Sequence, residues 1–497
     1  MKVLLVYPWF PDTYWSFRHA LSFQAKRSAF PPLGLMTVSA MLPVSWEKRL
    51  VDINVRALTA TDIKWADAIF VSAMHVQRDS LKKVIKLGKA YGKRVVVGGP
   101  YASICANELA EADHVFIGEA EMTFPTFLRD LEKGEPKRIY AAAERPALSM
   151  APIPHFRLAD LKLYSAMSVQ YSRGCPFNCE FCDIIEIYGR VPRTKCNQQM
   201  LAEFDALLKA GWRDDVFIVD DNFIGNKKNV KRFLPELAQW SAQHKYPFSF
   251  ATEASINLAD DDELLHLMRC AGFCRVFVGI ETPVEESLKE AQKSQNRRRD
   301  LIECIRKIQS YGMEVMAGFI VGFDNDPENI FDQQIDFIRK SAVPLSIVSL
   351  LAAIPETQLW RRLEREGRLL GDHTGNNTDC TLNFVPKMDR ARLIAGYKSI
   401  LRTIYTPNEY YQRALDCLAQ VNRNGAPELR GTGTTLNDIA ALMRIALRLG
   451  IQDASRAEFW YFIKRVLAEH REKFGQGIVL AAMGYHFRKL TEQYCPE

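Results

Sequence analysis

Ser172-Arg-Gly-Cys-Pro-Phe-Asn-Cys-Glu-Phe-Cys-Asp183 sets Cys175, Cys179 and Cys182 in a C-x3-C-x2-C spacing. No fourth cysteine stands at a matching interval, and no histidine follows closely. Thiolates favour iron–sulfur clusters, and a cubane held wholly by protein takes four of them. Three ligands leave one iron open, so the pattern points to a [4Fe-4S] cluster that does chemistry on a bound ligand. A zinc site would want a fourth ligand, and a disulfide is disfavoured at such tight spacing. The other cysteines are scattered, mostly in apolar helical surroundings where a buried free thiol is the ordinary expectation.

The motif opens an alternating pattern over residues 166–355. Strands are expected at Ser168–Tyr171, Val216–Val219, Phe248–Ala251, Val276–Gly279, Glu314–Phe319 and Leu345–Leu350, with helical stretches between them. Six β/α units make a partial barrel, whose active site lies at the carboxyl ends of its strands. The residues just past those ends are therefore candidates: Asp220 and Asp221, Glu253 and Ser255, Glu281 with Thr282, and the glycine-rich run containing Gly318 and Gly322. Carboxylates suit an ammonium ligand, although Asn222 nearby also fits a helix cap.

Residues 1–135 alternate apolar strands (Lys2–Tyr7, Arg49–Ile53, Ala68–Ser72, Arg94–Gly98, His114–Gly118) with helical patterns, which predicts a doubly wound parallel sheet. Its carboxyl-edge loops carry His75, Gly98, Gly99, Gly118 and Glu119, and glycine there lets a ligand approach the backbone closely. Residues 136–165 read as a linker broken by Pro146, Pro152 and Pro154. Residues 356–497 read as mainly helical, with aromatics at Tyr405, Tyr410, Tyr411 and 459–462 expected mostly in the core and a helical cap over the barrel mouth expected to shape the substrate pocket. The fold class is thus α/β with a Rossmann-like domain, a partial (β/α)6 barrel and a helical C-terminal domain.

The cysteine spacing, with Phe181 between the last two ligands, resembles the signature of the radical S-adenosylmethionine (SAM) enzymes. The strand-end loops of the first domain add a resemblance to the cobalamin-dependent class. Ala73-Met-His-Val-Gln-Arg78, Cys182-Asp-Ile-Ile-Glu-Ile-Tyr-Gly-Arg-Val-Pro-Arg193 and Val219-Asp-Asp-Asn-Phe-Ile-Gly-Asn-Lys227 resemble the subfamily that contains the hopanoid C-2 methylase. Ile184-Ile185-Glu186 departs from the Ile-Pro-Gly expected there, which leaves the substrate open. The resemblance implies that Cys175, Cys179 and Cys182 ligate the cluster and that its open iron takes SAM. It implies that the strand-end residues of the barrel orient SAM and that the first domain carries cobalamin over the barrel mouth, without a D-x-H-x-x-G motif. The implied reaction methylates an unactivated carbon of a hopanoid or other lipid-like substrate, through a 5′-deoxyadenosyl radical and methylcobalamin, with an external electron donor.

Three rivals stand beside it. The same cofactors serve ring formation or oxidation; an RNA- or protein-modifying enzyme of the superfamily would usually show extra cluster cysteines or an RNA-binding module; and a cobalamin sensor needs no radical generator. At 497 residues two or three domains are expected. Apolar content of 47% with 25% charged residues fits a soluble globular protein. The chain opens directly into a strand, without a signal peptide, and no apolar run approaches the roughly 18 residues that span a bilayer. With 11 cysteines this points to a reducing cytoplasm. The net charge of +6 falls mostly after Met388 without a dense basic tract, so nucleic acid is not expected, and peripheral association with an anionic membrane face stays open.

Overall fold

The first sheet is apolar on both faces because both faces are covered. The computed structural model describes residues 1–371, 373–376, 378–422 and 436–496. Its strands β1 (Lys2–Tyr7), β2 (Glu47–Asp52), β3 (Ala68–Ser72), β4 (Arg94–Gly98), β5 (His114–Ile117) and β6 (Ile139–Ala141) run parallel in the order β2-β1-β3-β4-β5-β6. Alternate residues divide between two cores: Leu4, Val6, Ile69, Val71, Val95 and Val97 on one side, Val3, Leu5, Phe70, Val96 and Phe116 on the other. That division is the period-2 pleat of a doubly wound sheet. The order reverses at β1 and β3, so the loops beyond those two strands open a crevice. Strand β6 lies inside the stretch read as linker; it is three residues long and exposed at Ile139 and Ala141, which left no apolar run to find.

The second sheet is built from β7 (Met167–Val169), β10 (Val216–Ile218), β11 (Phe250–Glu253), β12 (Phe273–Glu281), β13 (Glu314–Val321) and β14 (Ser346–Leu350), parallel and in chain order. This is the six-unit partial barrel expected. Strands β8 (Ser172–Arg173) and β9 (Arg193–Thr194) form a separate antiparallel pair that closes the base of the cysteine loop.

From residue 356 onward the regular elements among the described residues are helices, the longest being Phe474–Tyr494. Tyr405, Tyr410, Tyr411, Phe459 and Phe462 are buried as expected, whereas Trp460 and Tyr461 are 43% and 58% exposed. Helix Phe474–Tyr494 packs against the long connection that follows β1. Tyr14 stacks on Phe487 at 5.2 Å, the Tyr494 hydroxyl donates to the Asp12 carbonyl at 2.8 Å, and His486 Nε2 meets the Tyr14 carbonyl at 3.2 Å. Of the cysteines outside the motif only Cys105, Cys417 and Cys495 are buried, fewer than expected, and Cys196 is exposed. Among the described residues no helix is long and apolar enough to cross a membrane.

Candidate active site

The cysteine loop is fixed at its root by the paired aspartates. Asp220 accepts from the backbone N–H of Tyr171 (2.7 Å) and Ser172 (2.8 Å) and from the Ser172 hydroxyl (2.7 Å), and Asp221 accepts from the N–H of Gly174 (2.9 Å). Gly174 sits at φ +95°, and a Cβ there would lie 2.8 Å from the Gly189 carbonyl oxygen, so the hairpin base admits only glycine without moving backbone. Burial pushes the Asp220 and Asp221 carboxyls up, to about 6 and about 7, against the bonds that hold them ionised.

Around the thiols stand side-chain donors, the cation Lys293 and, beside Cys182, the acid Asp183. Asn222 Nδ2 points at Cys175 Sγ (3.8 Å) and Gln295 Nε2 at Cys179 Sγ (3.7 Å). Lys293 lies near enough to Cys179 and Cys182 to act on them electrostatically, and it pairs with Glu281 at 2.5 Å in a buried contact. Gly279 makes that pairing possible, since a Cβ there would fall 2.3 Å from Glu281 Oε1 and 2.7 Å from Lys293 Nζ. Glu281 itself stands at φ +63°, at an irregularity in the β12–β13 register. Burial pushes the Cys175 and Cys182 thiols up, and each is raised further by the charges of its fellow cysteines. A thiolate set so desolvated needs a cationic centre to neutralise it, and a cluster supplies one. Among the described residues no three His, Cys, Asp or Glu side chains are close enough to cage a single ion. Three thiols on one loop, with the Asn222 and Gln295 amides and Lys293 beside them, are the donor set that a cluster with one open iron takes.

The other expected residues of the barrel divide. Glu253 faces a large cavity, and burial together with Asp221 and Asp220 pushes its carboxyl up to about 8. Ser255 bonds Asn222 (3.1 Å) and Asn257 (2.6 Å) beside the cysteine loop. Gly318 and Gly322 serve packing: a Cβ at Gly318 would meet the Phe277 ring at 3.0 Å, and Gly322, at φ +110°, faces Leu393 at 3.2 Å.

The cavity, of about 1060 Å³, lies between the carboxyl edges of the two sheets. The first sheet contributes Gly98, Gly99, Gly118 and Glu119; the barrel contributes Ser168, Gln170, Phe217, Val219 and Glu253. A third wall comes from residues 7–38, with Trp9, Phe10, Trp15 and Phe30. Trp15 packs on Phe277 (5.1 Å) and Phe217 (6.3 Å), and Phe30 on Phe217 (5.4 Å). Among the described residues none of the lining lies beyond Glu253, so the described helices back this wall instead of forming the expected cap. Gly34 and Gly118 line the cavity with no atom within 4 Å of where a Cβ would project, leaving a smooth cradle on the first domain suited to a flat macrocycle. Gly99 has a different reason: a Cβ there would lie 2.4 Å from Ser72 Oγ. His75 is not on the cavity wall; its Nε2 meets the His373 carbonyl at 2.7 Å and its ring packs on Tyr101.

Two ionic clamps flank the cysteine loop. On the first-domain side Arg173 bonds Glu119 (2.6 Å) and Glu121 (2.8 Å), while Arg193 bonds Glu119 (2.6 Å). On the other side Arg362 bonds Glu180, inside the motif, at 2.6 Å, and Asp324 at 3.0 Å. Sequence reading missed Lys293, Gln295, Arg173 and Arg362; their partners stand up to 182 residues away, and no local spacing marks them.

Comparison with known proteins locates three matches along the chain. Residues 27–128 match the B12 binding domain, residues 169–338 the radical SAM superfamily, and residues 357–497 a domain of unknown function, DUF4070. An uncharacterized methyltransferase of Synechocystis sp. is 44% identical over 99% of this chain and 92% of its own length. The hopanoid C-2 methylase of Rhodopseudomonas palustris is 35% identical over 94% of this chain and 89% of its own. Among solved structures, the cobalamin-dependent SAM radical enzyme OxsB superposes with a TM-score of 0.62 at 16% identity, over 99% of this chain and 80% of that one. The radical SAM methyltransferase TsrM of Kitasatospora setae gives 0.60 at 13%, over 90% and 98%. At those identities the two structures establish the fold alone.

Proposed function

The chain belongs to the cobalamin-dependent radical SAM methylases, and on that premise we propose that its substrate is a hopanoid-like lipid, methylated at an unactivated carbon. The observation that carries this reading is the cavity wall of Trp9, Phe10, Trp15, Phe30 and Phe217, a broad apolar surface where both sheet edges meet. A wall of this apolar and aromatic kind suits a polycyclic hydrocarbon body.

When bound, the cluster with SAM supplies a hydrogen-abstracting radical, and cobalamin supplies the methyl group. In this reading Cys175, Cys179 and Cys182 hold the cluster, and Asp220 and Asp221 hold their loop through its backbone. Lys293, Asn222 and Gln295 offset the negative charge on the sulfurs. Glu253, Ser255 and Glu281 border the SAM position, with Gly318 and Gly322 shaping the strand behind it. Gly34, Gly98 and Gly118 admit the corrin, and Glu119 holds the first domain on the cysteine loop. The aromatic wall excludes water from the reacting carbon. Glu253 Oε, with a carboxyl near 8, keeps its proton at neutral pH and offers a donor into the cavity. The cluster's electron comes from an external donor.

The test is anaerobic expression, with cobalamin supplied, in a host that makes hopanoids but no methylhopanoids. Lipids heavier by one CH2 unit are expected. Deoxyadenosine formation without any such shift would reject the hopanoid substrate and leave the family assignment standing.

A further inference from the structure

Helix Leu436–Leu447 turns an apolar face to solvent. At 3.6 residues per turn, Leu436, Ile439, Met443 and Leu447 lie on the side opposite Ile445, the one residue of this helix that is buried. Leu436 is 85% exposed and Met443 61%. The turn that follows extends the stripe through Ile451, 64% exposed, to Trp460, whose indole N–H donates to the Gly450 carbonyl at 2.9 Å and whose ring covers Gly450. A run of large apolar side chains opposite the packed side of a helix is not ordinary surface, and it marks an interaction face.

The charges beside it are of one sign. Arg456 and Lys464 flank Trp460 at i−4 and i+4 and are exposed. The nearby acids are engaged or turned to the protein body: Asp453 pairs with Arg488 at 2.5 Å and Glu469 with Arg465, while Asp438 lies near enough to Asp214, and Glu458 to Tyr411, to act on them electrostatically. A two-fold contact with a second copy would set these cations against their equals. An anionic bilayer meets both parts of the face, taking the apolar stripe into its boundary and the cations at its headgroups, with Trp460 and Tyr461 at the depth where aromatics settle.

The position of the face gives it a use. Arg444 Nη1 donates to the Phe23 carbonyl at 2.6 Å, and the helix packs on the turn Ser22–Gln24. Ser22 of that turn, with Arg18, Lys26 and Arg27 on either side of it, lines the cavity. We propose that the stripe Leu436–Ile439–Met443–Leu447–Ile451–Trp460 docks the protein on an anionic lipid surface and brings the cavity mouth to membrane-held substrate. The docking stands on the surface itself; the delivery of substrate rests on the lipid-substrate reading above.

The experiment is sedimentation of the cluster- and cobalamin-loaded protein with vesicles of phosphatidylglycerol and phosphatidylethanolamine. The M443E/L447E double variant changes two exposed side chains and keeps the fold, checked by an unchanged thermal midpoint. Wild type sediments with the vesicles, less so in high salt, and the variant's partitioning falls about tenfold or more. Equal sedimentation of the two proteins, or none by wild type, overturns the docking. So does a wild type that is dimeric and a variant that is monomeric by light scattering, since a second copy would then cover the stripe. Methylation separates the two readings. The variant should lose activity on vesicle-held lipid and keep it on detergent-dispersed lipid. If wild type methylates neither while still binding vesicles, the substrate reading fails and the docking stands.

Discussion

The two sheets meet one cavity with different chemistry. The first offers what it lacks: Gly34 and Gly118 present bare backbone, and its main charged residue at the edge, Glu119, is spent on Arg173 and Arg193 of the barrel. The barrel offers side chains: the raised carboxyl of Glu253 on the cavity wall and, off that wall, three thiols and a buried lysine–glutamate pair. A macrocycle is held by shape over a wide area and a cluster by a few bonds, so a small change should be tolerated differently on the two sides.

The sharpest break is Cys179→Ala. It should abolish the cluster's absorbance and all SAM cleavage, while the cobalamin spectrum of the purified protein remains. Loss of both spectra together would show that the two sides are one folding unit. Next in size is Arg173→Met, which strips Glu121 of its partner in a buried site where Arg173 has 13% of its side chain exposed. Breaking a buried pair from one side costs about 3–5 kcal/mol, read as a lower urea midpoint. The matching Arg362→Met on the opposite flank should cost less. Arg362 is more exposed, at 24%, and Asp324 keeps Arg368 at 2.7 Å.

This asymmetry also explains what could be read beforehand. Strands such as KVLLVY are legible because a sheet covered on both faces leaves continuous apolar runs. The cysteine triad is legible because its ligands are adjacent in sequence. Asp220 and Asp221 were legible as site residues, but their bonds to Tyr171, Ser172 and Gly174 cross 47 to 49 residues and only the fold reveals them. Pro31-Pro32-Leu33-Gly34 reads as a ligand-side loop and does line the cavity, but the connection 8–30 has no helical or strand period, so nothing in it announced Trp9, Phe10, Trp15 and Phe30 as a cavity wall. The aromatic run 459–462 was expected mostly in the core. Four consecutive helical positions span most of a turn, however, so Phe459 and Phe462 turn inward while Trp460 and Tyr461 cannot.

Gly34→Leu tests the shape side alone. The residue lies in helix Leu33–Met41 with open space before it, so leucine should not strain the chain and should stabilise the helix by up to about 1 kcal/mol. It fills the cradle, and cobalamin affinity should fall about tenfold, equivalent to ~1.4 kcal/mol, with the cluster spectrum unchanged. Undiminished cobalamin binding would move the corrin away from this wall.

The smallest expected effect lies on the charge side and has a definite sign. Glu253 carries a carboxyl raised from 4.5 to about 8 by burial. Between those values the folded protein holds a proton that the unfolded chain has released, so this group lowers stability as pH rises and adds no further slope above about 8. Glu253→Gln removes the titration. Relative to wild type the variant should gain stability from pH 5 to pH 8, by about 1 kcal/mol, because the side chain borders the cavity and solvent there screens part of the linkage. Urea midpoints of the apoprotein at the two pH values measure it. A difference that stays flat would mean that Glu253 is ionised and paired within the cavity, and the donor assigned to it would then become an acceptor.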